Sequence, residues 1–152
     1  MEPDSVVCPE HERVLRARRA AWTEWLMRLD WSHGVTVTWR EPVTVARAVR
    51  DVTEWLAAWP SVGAAIGLPH AADGLHGHAY VMIAGVRRIP ITRVALERRW
   101  CWGSATDVPY NIYRGAHRRA AIQHLFRQAE TIETIGTLPA SASGAPRRPR
   151  DV

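Results

Sequence analysis

Lysine is missing from this chain of 152 residues, so all 20 basic side chains are arginine. GC-rich coding alone produces such a bias, but the surface chemistry follows whatever the cause. A guanidinium keeps its charge at any physiological pH and meets phosphate or carboxylate oxygens with two parallel hydrogen bonds. Cysteine is nearly missing too, with only Cys8 and Cys101 present. Two cysteines so far apart build no disulfide framework and lack the spacing of a metal-binding pair. Cys101 stands between Trp100 and Trp102, where a buried thiol is expected. No apolar run is long enough to span a bilayer, and the first residues carry no signal-peptide pattern. These absences point to a cytoplasmic protein without a membrane partner.

Phenylalanine occurs once, against eight tryptophans. An indole can fill a core, or it can lie exposed as a flat surface on which nucleobases stack. The net charge is +5 and the isoelectric point about 10.2. A basic surface of this kind attracts polyanions, although Arg147, Arg148 and Arg150 place part of the excess near the end of the chain. Hydrophobic residues at 47% and charged residues at 23% are ordinary for one globular domain.

The hydrophobic pattern divides the chain into elements. Residues 1–9 read as a flexible lead-in. Residues 10–29 have helical spacing, with Val14, Leu15, Trp22, Trp25, Leu26 and Leu29 on one stripe. Val35-Thr36-Val37-Thr38-Trp39 alternates in the manner of a strand. Residues 43–59 form an amphipathic helix stopped by Pro60, and 61–68 a short apolar strand. The Asp73-Gly74 turn leads to a partner strand over 75–83. Pro90 starts a helix running to about residue 100. Residues 105–112 suit one more strand, which Pro109 confines to an edge or a bulge. A second long helix is expected over 115–134, and 136–152 read as a disordered basic tail. A single domain over 10–135 follows, of α+β class, with an antiparallel-rich sheet, helices on one face and the other face open for a ligand.

The chemistry concentrates on the partner strand. In Leu75-His76-Gly77-His78-Ala79-Tyr80, alternation puts His76 and His78 on one side of the strand, about 6–7 Å apart. Two imidazoles so placed can chelate a divalent ion, and Tyr80 shares their side; the plain alternative is two histidines on a solvated sheet face. His117, His124 and Arg127 recur at helical spacing further on. They too have a plain alternative, the solvated side of an amphipathic helix.

With these parts in this order, residues 32–128 resemble the HUH endonucleases, named for His-hydrophobic-His, and among them the initiators of rolling-circle replication in plasmids and phages. The Thr-rich first strand is matched by Val35-Thr36-Val37-Thr38-Trp39 and the His-x-His strand by His76-Gly77-His78. The helix ending in a Trp–Gly element is matched by Arg99-Trp100-Cys101-Trp102-Gly103. The family's Tyr-x-x-Lys is met by His124-Leu125-Phe126-Arg127, with histidine in place of the tyrosine. Two further departures are Gly77, where the family carries a bulky apolar residue, and Leu68, where many relatives carry a glutamate ligand.

The resemblance implies an RRM-like, ferredoxin-related fold and a metal site for Mn²⁺ or Mg²⁺, with Zn²⁺ or Ni²⁺ also suited to imidazoles. His76 and His78 would be ligands and His70 a substitute for the missing carboxylate. It also implies single-stranded or hairpin DNA as substrate, Arg127 as the basic partner, and a nucleophile at His124, Tyr110 or Tyr113; a metal or DNA contact stays open for His124, and a core or base-stacking role for each tyrosine. A host helicase would supply unwinding. Two readings stay open: a metal-dependent nickase, and a scaffold without its nucleophile that recognises DNA as an accessory or regulator. A metal-free sheet that stacks RNA bases on aromatic residues is a third.

Overall fold

The structure is a computed structural model that describes residues 8–85, 91–107, 115–136, 138 and 149. Its elements are α1 (Pro9–Met27), β1 (Trp31–Val43), α2 (Val45–Leu56), β2 (Gly63–Leu68), β3 (His76–Ala84), α3 (Arg93–Arg99), β4 (Ala105–Asp107), α4 (Gly115–Gln128) and β5 (Thr131–Gly136).

Local chemistry sets several of these boundaries. Pro9 begins α1, where its missing N–H costs nothing, and Glu10 and Glu12 face the positive end of the helix dipole. Thr44 caps α2 by accepting the Arg47 N–H at 3.2 Å, and Thr92 caps α3 by accepting the Ala95 N–H at 3.1 Å.

The five strands form one antiparallel sheet in the order β4-β1-β3-β2-β5. From β1 to β4 the chain runs strand, helix, strand, strand, helix, strand, the split βαβ arrangement of ferredoxin-like folds. The α+β class and the antiparallel sheet are as the sequence predicts. Within this unit α2 and α3 share one face, where Val52, Trp55 and Leu96 pack on Val35, Val37, Ile66, Val81 and Ile83.

The opposite face is not open. Trp22, Trp25 and Leu26 of α1, with Ile122 and Leu125 of α4, cover Ala65, Tyr80, Met82 and Ala84. The expectation of helices on one face alone is therefore corrected to a sheet between two helical layers. The cause is legible in β3, whose residues 79–84 are buried on both sides. A strand buried on both faces carries a continuous apolar run rather than an alternating one.

Six of the eight tryptophans, at 22, 25, 31, 39, 55 and 100, are buried. Their packing, rather than exposure to bases, accounts for the indole content. The N–H of Trp31 donates to the Leu26 carbonyl, that of Trp55 to Leu96, that of Trp100 to Thr38, and that of Trp39 to the buried Asp51 carboxylate. Trp39, Trp55 and Trp102 each stand edge-on to Trp100 at about 5 Å.

The end of the chain also differs from expectation. Helix α4 stops at Gln128, not near residue 134, and β5 follows it. Ala129 N–H closes the helix on the Leu125 carbonyl at 2.8 Å, and Glu130 N–H turns at once to the Leu68 carbonyl at 2.9 Å. The β-branched Thr131, Ile132, Thr134 and Ile135 then pair with β2 at its free edge. Leu138, in the stretch expected to be disordered, packs against the second core. Residues 1–7 of the expected lead-in, and most of 137–152, lie outside the described residues.

Candidate functional site

Strand β3 lies between β1 and β2, and the sheet register decides which way its side chains point. His78 is opposite Thr38, Ala79 opposite Val37 and Tyr80 opposite Thr36. Ala79 and Val37 belong to the core under α2 and α3, whereas Tyr80 belongs to the core under α1 and α4. By alternation His78 shares the side of Tyr80.

The two histidines of the His-x-His strand have unlike surroundings. His78 is exposed, while His76 retains 6% of its surface and lies opposite Val43, past an irregularity in β1. The His76 Nδ1 is buried and has no hydrogen-bonding partner among the described residues. A buried ring nitrogen without a partner is costly unless something else engages it. A Cβ added to Gly77 would meet nothing within 4 Å, so the position has room for a side chain.

The Trp–Gly segment reaches the same neighbourhood. Thr38 N–H donates to the Ser104 carbonyl at 2.8 Å, and Arg40 N–H to the Trp102 carbonyl at 2.9 Å. Ser104 N–H donates to the Thr38 hydroxyl at 3.0 Å. A Cβ added to Gly103 would fall 2.0 Å from the Thr38 carbonyl oxygen, so only glycine allows this approach. The segment thus holds Thr38, the residue opposite His78, from the outer side of the sheet. Cys101 is exposed rather than buried. It lines a hollow with Trp39, Arg40, Glu41, Arg47 and Trp102, because Trp100 takes the inward position.

Helix α4 carries His124 onto the sheet. Its ring stands edge-on to Tyr80, with centroids 4.9 Å apart and planes at 82°. Burial, and then the nearby Arg127 charge, hold this imidazole below its ordinary pKa, which favours the neutral ring. Leu125, the next residue, packs over Gly67, where a Cβ would come within 2.4 Å of Leu125 Cδ1. His117 and Arg127 are exposed.

His70 goes elsewhere. It is exposed and pairs with Glu130 at the turn between α4 and β5. Leu68, the position of the family's glutamate, faces the core under α2 and α3; it is Gly67 that lies opposite Tyr80. The structure therefore brings His124 against Tyr80, places His78 on the same side of β3 by alternation, and leaves His70 apart. Tyr110 and Tyr113 lie outside the described residues. Among the described residues no three His, Cys, Asp or Glu side chains are grouped to hold a metal ion, and no helix is long and apolar enough to cross a membrane.

One contributor was not legible as a site residue in the sequence: Thr38 becomes one only through its pairing with His78. Compared with protein-family models, with curated proteins and with solved structures, the chain matches none.

Proposed function

We propose that this protein binds single-stranded or hairpin DNA beside the His76–His78 end of β3 and nicks it with a divalent metal, in the manner of the HUH endonucleases it resembles. The observation that carries the reading is the buried His76 Nδ1 without a partner, two residues from an exposed imidazole on the same strand. Two such nitrogens fit a half-site for Mn²⁺, Mg²⁺, Zn²⁺ or Ni²⁺, with water or phosphate oxygens taking the remaining positions. A bound ion there would polarise a phosphodiester oxygen.

The residues of the chain supply the rest. Thr38, fixed by Gly103 and Ser104, sets where His78 stands. Tyr80 and His124 wall the side of the strand toward α4. Arg127, whose charge lies near His124, neutralises a phosphate of the strand. Nucleophilic attack is the part of a tyrosine, Tyr110 or Tyr113: its phenolate oxygen bonds to phosphorus as the bond to the 3′-oxygen breaks, leaving a 5′-phosphotyrosine and a free 3′-hydroxyl.

A second reading is favoured by one observation. The position matching the family's tyrosine is His124, half-buried against Tyr80. On that ground the protein recognises DNA without cutting it, as an accessory to a replication system whose helicase is another protein.

Incubation with labelled single-stranded and hairpin oligonucleotides, including a randomised pool, and Mn²⁺ tests both readings on a denaturing gel. A covalent protein–DNA band is the expected result, and mapping the linked residue separates Tyr110, Tyr113 and His124. Binding without a band, with cleavage gained by His124→Tyr, selects the second reading. Absence of binding to any oligonucleotide removes both.

A further inference from the structure

The two helices that cover the second face of the sheet leave a groove between their outer sides. It is lined by Arg16, Arg19, Ala20 and Thr23 of α1 and by Gln123, Phe126 and Arg127 of α4, and encloses about 470 Å³. Positions 16, 19, 20 and 23 form one stripe of α1, and 123, 126 and 127 form one stripe of α4. Arg16, Arg19 and Arg127 are all exposed, and no guanidinium of the three makes an ion pair or hydrogen bond among the described residues. This differs from Arg28, Arg47 and Arg93, each of which meets a carboxylate four residues away on its own helix. Three exposed guanidiniums lining one groove, with Glu12 only at its far end, give it a positive potential that attracts a polyanion.

We propose that this groove is a track for the sugar–phosphate backbone of single-stranded DNA, gripped by Arg16, Arg19 and Arg127. The proposal rests on the DNA-binding reading above and extends it to a surface outside the His76–His78 site. Arg16 and Arg19 are about 4.5 Å apart along the helix axis, within reach of neighbouring phosphates on a flexible strand. Phe126 offers a half-buried ring on the groove wall, which a base can cover as its phosphate meets Arg127. Arg127 lies one turn beyond His124 on α4, the residue whose ring meets Tyr80 of β3. Glu12 adjoins Arg16 and Arg19 at the far end and turns the strand away there, giving the track a direction toward α4.

The test is binding of a fluorescein-labelled mixed-sequence single strand by anisotropy across a range of NaCl concentrations. It compares the wild type with R16Q/R19Q/R127Q and with a scattered variant of equal charge, R13Q/R50Q/R98Q. Each phosphate contact to a single strand contributes about 0.7 to the slope of log K against log salt. The groove variant is expected to lose about 2 from that slope and about tenfold or more in affinity. The scattered variant keeps most of both. Phe126→Leu is expected to weaken binding about fivefold or more with the slope unchanged. Equal slopes in the groove and scattered variants overturn the groove while the DNA-binding reading stands. A strand displaced as readily by poly-glutamate as by unlabelled DNA overturns it as well, in favour of an acidic protein partner. No binding by the wild type defeats both readings together. Thermal unfolding of each variant confirms that the fold is retained.

Discussion

The rings of His124 and Tyr80 meet edge to face at 4.9 Å, which ties the middle of α4 to the central strand of the sheet. The contact places an ionisable group where sheet, helix and candidate site converge. It also makes His124, where the resemblance would expect a tyrosine, part of the packing.

The stability of the protein should therefore depend on pH through His124. Burial first, and Arg127 second, lower its pKa in the fold from the ordinary 6.5. As pH falls below about 6.5 the unfolded chain takes up the proton before the folded one, so stability is full above that pH and is lost on acidification. Urea midpoints at neutral and mildly acidic pH are expected to fall further in the wild type than in His124→Phe. Equal losses in the two proteins would remove His124 as the cause.

Two glycines make opposite predictions. Alanine at Gly103 puts a methyl group 2.0 Å from the Thr38 carbonyl oxygen, a backbone atom that cannot step aside. A loss of about 3 kcal/mol is expected, at the upper end for overpacking. Alanine at Gly77 meets nothing and should leave stability unchanged or slightly raised. Chemical denaturation of both variants decides the matter; similar costs would contradict the packing described.

The buried Asp51 carboxylate accepts the Trp39 N–H at 2.9 Å. Asp51→Ala leaves that donor without its partner and is expected to cost about 1–3 kcal/mol. Once Trp39→Phe has removed the N–H, the same change should cost about 1 kcal/mol less, as read from a double-mutant cycle. Strict additivity would mean that the bond contributes nothing.

Metal affinity should reside in the His-x-His strand. Calorimetry with Mn²⁺ and Zn²⁺ is expected to show binding to the wild type, weaker binding to His78→Ala and none to the H76A/H78A variant, while His70→Ala binds as the wild type does. Unchanged affinity in the double variant would remove the site; weakened binding in His70→Ala would return His70 to it.

Much of this was written in the hydrophobic pattern. The stripe of Val45, Val49, Val52, Trp55 and Leu56 gave α2, and the turn at Asp73-Gly74 gave the β2–β3 pairing. What periodicity could not convey was partnership between distant segments. The stripe on α1 was evident, but that it lies beside α4 over the second face depends on a contact across some hundred residues. Thr131 to Thr134 read as more helix because so short a stretch cannot distinguish a helix end from an edge strand until the Leu68 carbonyl claims the Glu130 N–H. His70 was assigned by continuing a strand that in fact ends at Leu68. The spacing of His76 and His78 was visible at once; their unequal burial was not, because it depends on how β1 deviates after Thr38.

The cluster around Trp100 has an optical consequence. Indoles held edge-on at about 5 Å couple their electronic transitions, and the sign and size of that coupling depend on the angles between the rings. Trp39 comes from β1, Trp55 from α2, and Trp100 and Trp102 from the segment after α3, so the coupled chromophore exists only when all three regions are docked. Near-ultraviolet circular dichroism therefore reports, without any label, whether the strand that positions His78 is held in place.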